Sequence, residues 1–304
     1  MACAKEFVSS PADVDLVLRT YQNAVFWPLN YTIDPGMNGP LIVDILTRSR
    51  RPYITCDPLG ARYTSKLRFK QALRESGFPT PDWRIAHEGW RSVAPDLSYP
   101  LFLKSEFSCD SAGVRRIEEA TQLHEEYRRL SAELDETLFI EAVAGKSEVT
   151  VACIASRHGL LTAAMNMAAK NAPYIDEYAK HHNEALILMP AAPRTQLMLH
   201  QHVAKMANQL RLNGYFRIDF LLDTDGTPKA IDMNILPCLN ANPDQLSYLP
   251  MAFMQANNCS FRDVIGAILD SMQPFDVYPT RFSSLQALMS SSKLLIHREG
   301  PAPW

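Results

Sequence analysis

The segment IDFLLDTDGTPKAIDMN, residues 218–234, consists of two apolar-rich runs around Asp225-Gly226. That pattern is a strong hairpin signal, because a tight primed turn needs positive φ at its centre. Counting outward pairs 224 with 227 and 222 with 229, which predicts Asp219 directly opposite Asp232. Facing carboxylates repel across a strand pair and cost stability. Side chains alternate along strands, so Arg217, Asp219, Asp232 and Asn234 share one face, while Ile218, Phe220, Ile231 and Met233 share the other. The second face reads as core and the first as an acidic cluster. Two readings of that cluster stand. A divalent cation would offset the repulsion, and two carboxylates with an amide oxygen are the hard-oxygen set magnesium prefers where phosphates fill its other positions. Alternatively, both aspartates face solvent on an exposed sheet whose register is slipped by a bulge.

The chain around this hairpin has 304 residues, enough for about two domains with a core that needs no disulfide staples. With 47% apolar and 21% charged residues and a net charge of −3, it offers no basic field for nucleic acid or an anionic membrane. The start, MACAKEFVSS, lacks the apolar core of a signal peptide, and no run approaches the roughly 18 apolar residues of a membrane span. The expectation is a cytoplasmic protein without nucleic-acid or membrane partners. Six cysteines without CxxC or CxxH spacing read as reduced thiols.

Periodicity predicts a helix in ADVDLVLRTYQ, a strand in NAVFWPL, a helix in GPLIVDILTRSR and a strand in RPYITC, together one α/β layer with parallel strands. From Thr64 the helix SKLRFKQALRESGF stops at Gly77 and Pro79-Thr80-Pro81. The strand YPLFLK, a polar loop SEFSCDSAG, the helix RIEEATQLHEEYRRLSAEL and the strand TLFIEAV follow. Beyond Glu148 come antiparallel strands in EVTVACIAS and LLTAAMNM, a polar loop around NAPYIDEYAKHHNE, a helix from Thr195 to about Leu212, the hairpin, and the helix FRDVIGAILDSM. The expected division is 1–63, a shortened N-terminal α/β segment; 64–147, a central lobe; 148–274, a C-terminal lobe with the acidic cluster; and 275–304, a tail.

Lys66 lies in the first turn of a helix capped by Thr64 or Ser65, where a cation opposes the macrodipole by roughly 0.3–1 kcal/mol unless an anion is near. Lys104 ends a strand before a loop of small residues whose amides could close over phosphates, and Lys180 lies in a polar loop. Each of these lysines also reads as an ordinary surface charge. Glu141 and Glu148 flank AVAGKS, the kind of inter-lobe hinge along which an adenine lies, or an ordinary loop.

From about Asn23 to Met272 the order of these pieces resembles the ATP-grasp superfamily, and within it the D-alanine:D-alanine ligase family. YTSKLRFKQALRESGFPTP is similar to that family's DK helix and G-x-P-x-P, and YPLFLKSEFSCDSAGV to its PlvVKP…S-x-GV loop. LFIEAVAGKSEVTVA is similar to its vE…G-x-E-ltV hinge, YIDEYAKHH to its fYDYeaKY loop, and GYFRIDFLLD with AIDMNILP to its RvDFf and EvNt-PG strands. The resemblance implies an α/β (α+β) ATP-grasp fold: two lobes with ATP between them and a shortened Rossmann-like N-terminal segment. It implies that Lys66, Lys104 and Lys180 hold ATP phosphates, and that Ser111 and the amides near Gly113 form a lid. Glu141, Ala142 and Ala144 would border adenine, and Glu148 would bind ribose. Asp219, Asp232 and Asn234 would ligate two magnesium ions, with manganese able to substitute. Arg217 and the amide of Cys238 would stabilise the oxyanion, and Ser247 would meet the acceptor carboxylate.

The implied reaction moves the γ-phosphoryl of ATP onto a carboxylate, and the acyl phosphate then acylates an amine. Several positions depart from the family. Only residues 1–22 precede the matched region, so its Gly-rich N-terminal strand has no counterpart. Asn30 stands at the histidine of the family's HG motif, Asn38 at an acidic residue, Asp110 at a lid serine and Asp232 at the metal-bridging glutamate. PCLNANPDQLSYLP is longer than the matching loop. Intact ATP positions beside altered substrate positions point to amino-acid-like substrates in specialised metabolism, joined between molecules or within one to close a ring. A degenerate nucleotide-binding regulatory module and an ATP-grasp kinase are the alternatives. A homodimer is expected from the family's habit.

Overall fold

Residues 4–33, 41–87, 97–107, 113–145, 147–156, 158–170, 174–175, 178, 185–240, 247–272 and 295–297 are described by a computed structural model. Two antiparallel sheets dominate; antiparallel pairing is as expected beyond Glu148, and the strands before it pair the same way. The first runs β1 (Trp83–Ile85), β4 (Leu138–Ala142), β2 (Leu101–Ser105), β3 (Val114–Ile117). The second runs β10 (Leu295–His297), β6 (Gly159–Ala169), β5 (Ser147–Ser156), β8 (Gly214–Leu222), β9 (Pro228–Asn234), with β7 (Leu186–Pro190) also paired to β6.

In the smaller sheet, register puts Leu101, Leu103 and Ile140 on one face, packed with Leu123 and Leu130 of the helix Ala120–Glu133. Phe102, Lys104, Phe139 and Glu141 alternate onto the other face. In the larger sheet Val149, Val151, Phe216, Ile218 and Phe220 face a core with Leu199, Val203 and Met206 of the helix Pro193–Gln209. Ala152, Ile154 and Tyr215 face the helices Tyr248–Asn257 and Phe261–Leu269. Farther along that face the side chains turn polar: Thr150, Arg217, Asp219.

After the helices α1 (Pro11–Thr20), α2 (Ile42–Arg48) and α3 (Pro58–Ala61), the helix α4 (Lys66–Glu75) serves both sheets. Ser65 caps it, accepting from Arg68 N at 3.1 Å. Gly77, at φ +73°, ends it, while Phe78 N returns to Leu73 O at 2.8 Å. Phe69 and Leu73 are buried in the core of the larger sheet. Lys66, Lys70 and Arg74, four residues apart, line the adjacent side: Lys66 lies 4.0 Å from Asp232 of β9, whereas Lys70 pairs with Glu141 and Arg74 lies 4.7 Å from the centroid of the Trp83 ring, both in the smaller sheet.

Four expectations are corrected. The hairpin turn is one residue longer than predicted: Gly226 N bonds Asp223 O at 2.9 Å and Asp223 N bonds Thr227 O at 3.0 Å. Gly226 takes φ +85°, but Asp225 keeps negative φ and its carboxylate instead accepts from Thr227 N at 2.9 Å. Leu222 therefore opposes Pro228, not Lys229, and Phe220 opposes Ala230. A bulge at Ile231 adds the compensating residue and returns Asp219 to Asp232, so two one-residue departures cancel at the acidic pair. Ala230, not Ile231, is the core-facing position; Ala230 is fully buried and Ile231 half-buried.

Second, the parallel N-terminal layer is a single bridge, Phe26 to Tyr53, because the next rung needs an N–H that Pro28 lacks. Third, Val114–Ile117 is a strand and the helix starts only at Ala120. VRRI has no clean alternation, and its pairing with β2 is what holds it extended. Fourth, Tyr248–Asn257 is a helix, although YLP reads as the end of a loop and MAFMQAN receives no element; Pro250 sits in its first turn, the one place where a missing N–H costs little. Apart from Leu295–His297, the stretch read as a tail lies outside the described residues.

The N-terminal segment is stitched to the hairpin strands. Trp27 Nε1 donates to Tyr215 OH at 2.9 Å, Thr55 Oγ1 to Ile235 O at 3.0 Å, and Asp57 N to Asn213 Oδ1 at 2.8 Å. Gly214, at φ +73°, lies so close that a Cβ would meet Thr55 O at 2.3 Å.

Candidate functional site

On the acidic face of the hairpin, β5 contributes a residue that sequence reading missed. Thr150 lies opposite Asp219, and its hydroxyl donates to Asp219 Oδ1 at 2.7 Å. Arg217 grips the same carboxylate, Nε to Oδ1 and Nη2 to Oδ2, both at 3.0 Å. Burial works against the Arg217 charge, but Asp219 outweighs it and raises the guanidinium pKa above its ordinary value. Its guanidinium also lies 4.9 Å from the centroid of the Tyr248 ring, on the helix whose start sequence reading took for loop.

Asp232 is more open: its side chain is 36% exposed, with Lys66 Nζ 4.0 Å away. That contact answers the objection to a cation in the first turn of a helix. Asn234 Oδ1 accepts from Leu236 N at 2.9 Å and from Tyr31 OH at 3.1 Å. Tyr31 belongs to the N-terminal segment and, with Asn30, Pro28, Leu41, Thr55 and Leu236, lines a small cavity beside the hairpin.

The donor set fits magnesium in kind, with two carboxylates and an amide oxygen on one face. Asn234 Oδ1 already accepts two donors, so ligation there displaces one, and the side-chain partner Tyr31 is freer to leave than the backbone of Leu236.

On the smaller sheet the polar face is sealed. Glu141 is 1% exposed and ion-paired with both Lys104 and Lys70. Burial alone would raise its pKa; the ammonium groups of Lys104 and Lys70 prevail and hold it below the usual carboxylate range. Lys70, fully buried, has its pKa drawn down by burial and by Lys104 against the pull of Glu141, and its Nζ donates to Thr80 Oγ1 at 3.0 Å. Sequence reading missed Lys70, although it lies one turn beyond Lys66 on the same side of α4.

The connection between the sheets carries the remaining hinge residues. Ala142 ends β4 opposite Leu101, and Ala144 follows, half-buried. Gly145, at φ +79°, presses on β8, where a Cβ would meet Leu221 Cβ at 2.7 Å. Glu148, half-buried and second in β5, lies opposite Leu221. Gly113 O accepts from Ser105 N at 3.0 Å. Ser247 is buried, its Oγ accepting from Asn240 N at 2.9 Å, and Cys238 is exposed. Asp110, Ser111 and Lys180 lie outside the described residues. The structure thus gathers Lys66, Asp232, Asn234, Asp219 and Arg217 into one site, with Lys104 and Glu141 on the facing sheet.

Residues 74–270 match the family model described as D-ala D-ala ligase C-terminus. A D-alanine–D-alanine ligase from Oleidesulfovibrio alaskensis is 26% identical over 259 residues, covering 84% of this chain and 81% of that protein. The crystal structure of a D-alanine–D-alanine ligase from Bacillus anthracis complexed with ATP superposes with TM-score 0.65 at 17% identity, over 91% of this chain and 84% of that one. A D-Ala:D-Ser ligase structure from Enterococcus faecalis gives TM-score 0.65 at 17% identity, over 81% and 71%. The fold is the ATP-grasp fold of these ligases.

Proposed function

Because the chain belongs to the D-ala D-ala ligase C-terminus family, we propose that it is an ATP-dependent carboxylate–amine ligase that forms a C–N bond with magnesium and ATP. The observation that carries this reading is the acidic face of β8 and β9, opposed carboxylates braced by Arg217 and Thr150, meeting the lysine-bearing helix α4 at Asp232 and Lys66.

A carboxylate is a poor acyl donor because its leaving group would be oxide. Transfer of the γ-phosphoryl onto it gives an acyl phosphate that an amine can attack. That transfer needs chiefly positioning and neutralisation of spreading charge. In this chain Lys66 and Lys104 supply cations from two elements, Lys180 a third, and Ser111 and Gly113 cover the phosphates. Ala142, Ala144, Glu141 and Glu148 border the nucleoside. Asp219, Asp232 and Asn234 would hold two magnesium ions, which would supply neutralisation of the phosphate charge. Arg217, with its charge secured by Asp219, and the amide of Cys238 face the developing oxyanion. The lobes divide at about residue 148, with the nucleotide between the two sheets.

The substrates are proposed to differ from the D-alanine of the relatives. Asn30 and Tyr31 at the cavity beside Asn234, with Asp110 at the lid position, favour a different amino-acid-like donor in specialised metabolism, including closure of a ring within one molecule, while Ser247 would meet the acceptor carboxylate. A cytoplasmic homodimer is the proposed setting. Among the described residues no helix is long and apolar enough to cross a membrane.

The test is to incubate the protein with magnesium, ATP and a mixed panel of amino acids and related acids, reading products by mass spectrometry and ADP and phosphate by coupled assay. A product lighter than its summed precursors by one water, formed with ADP and phosphate, is expected. Folded protein that releases neither ADP nor phosphate across the panel sinks the ligase reading, and a phosphorylated product without an amide replaces it with a kinase.

A further inference from the structure

Glu141 has two ammonium partners where one would neutralise it, and the two differ in kind. Lys70 is fully buried, tied to Thr80 Oγ1 at 3.0 Å, and carried on a helix whose Phe69 and Leu73 are locked in the opposite core. Lys104 extends from strand β2 with its side chain 13% exposed, its Nζ 5.5 Å from the centroid of the Phe102 ring. Only Lys104 can swing out of the cluster without unpacking a helix. The cluster carries one surplus positive charge, so when one lysine leaves, a neutral pair remains.

We infer that Lys70 is a positioning residue: the fixed counter-ion of Glu141, which lets Lys104 exchange between that carboxylate and a phosphate of the bound nucleotide. The inference rests on the nucleotide site proposed above. Without Lys70, Lys104 is the sole counter-ion of a buried carboxylate, and stranding that carboxylate is far costlier than leaving an exposed one. Phosphate then competes with Glu141 for Lys104. With Lys70 in place, Glu141 stays paired whichever position Lys104 takes. The lysine that never touches nucleotide thereby sets the affinity for it.

Calorimetric titration with Mg-ATP, without acyl donor, tests this on the wild type, Lys70→Met, Glu141→Gln, and the two combined. Lys70→Met raises Kd about tenfold or more over wild type, whereas on the Glu141→Gln background the same substitution changes Kd by no more than about threefold. A single variant that binds like wild type, or an equal loss from Lys70→Met on both backgrounds, overturns the inference, since a merely structural role for Lys70 predicts the same loss on each. If Lys70→Met does not fold, ammonium resonances of 15N-lysine-labelled wild type decide. On adding Mg-ADP the Lys104 signal moves and the Lys70 signal stays; movement of Lys70, or none at Lys104, overturns it. A wild type that binds no Mg-ATP removes the functional reading itself, a failure distinct from these.

Discussion

The two charged clusters on either side of the candidate cleft are built to opposite ends. At Lys70–Glu141–Lys104 the carboxylate is 1% exposed and one lysine has no exposed surface, so the charges satisfy one another. At the hairpin, Asp219 is likewise buried and braced, by Thr150 and Arg217, but Asp232 directly opposite is half-open, with its nearest cation at 4.0 Å. One cluster is closed by internal pairing and holds the architecture. The other keeps a carboxylate in reserve beside its twin, an arrangement that costs stability until a cation arrives. Position in the fold, not residue type, separates the closed cluster from the open one.

The contrast is broken most severely at Glu141. Glu141→Ala leaves Lys70 buried without a counter-ion and should cost about 3–5 kcal/mol in urea unfolding. Asp232→Ala relieves a repulsion and should change stability by no more than about 1 kcal/mol while lowering kcat by about 10²-fold or more. Equal stability losses at the two sites would erase the distinction.

Acid titration should give an intermediate effect. The Glu141 carboxyl is held below its ordinary value of 4.5 by Lys104 and Lys70 despite burial, so the unfolded chain binds the proton more readily. Its contribution is complete above that value and lost as pH falls through the lower folded pKa. Unfolding midpoints of the wild type should therefore decline below pH 4.5 more steeply than those of the Lys70→Met, Glu141→Gln double variant. Parallel declines would show that Glu141 is not the responsible carboxylate.

The smallest effect is expected at Tyr31. Tyr31→Phe removes one of the two donors on Asn234 Oδ1 and should tighten manganese binding, followed by electron paramagnetic resonance, about two- to threefold. Weaker binding would instead make Tyr31 the residue that orients Asn234.

Much of this was legible before any coordinates. A cap at Thr64 or Ser65, the stop at Gly77, the antiparallel strands after Glu148 and the shared face of Arg217, Asp219, Asp232 and Asn234 all follow from local chemistry and period. The hairpin register was legible only at its functional end, because the longer turn and the bulge at Ile231 offset one another. Thr150 was hidden because a threonine in an apolar strand declares nothing until β8 lies beside it. Nothing in SKLRFKQALRESGF marks Lys70 off from a solvated lysine on an amphipathic helix. Its spacing from Lys66 was the available signal, yet the sheet that buries it is built from residues 83–142.

What the residues alone determined is the alternation that segregates core from acid on the hairpin and the order of elements that identifies the fold, since both depend on neighbours within a few positions. What only the tertiary structure decided is which charges are buried. Desolvation is set by whatever packs from afar, and here α4 lies between two sheets, turning one of its lysines, Lys66, toward the open acidic site and sealing the next, Lys70, against Glu141.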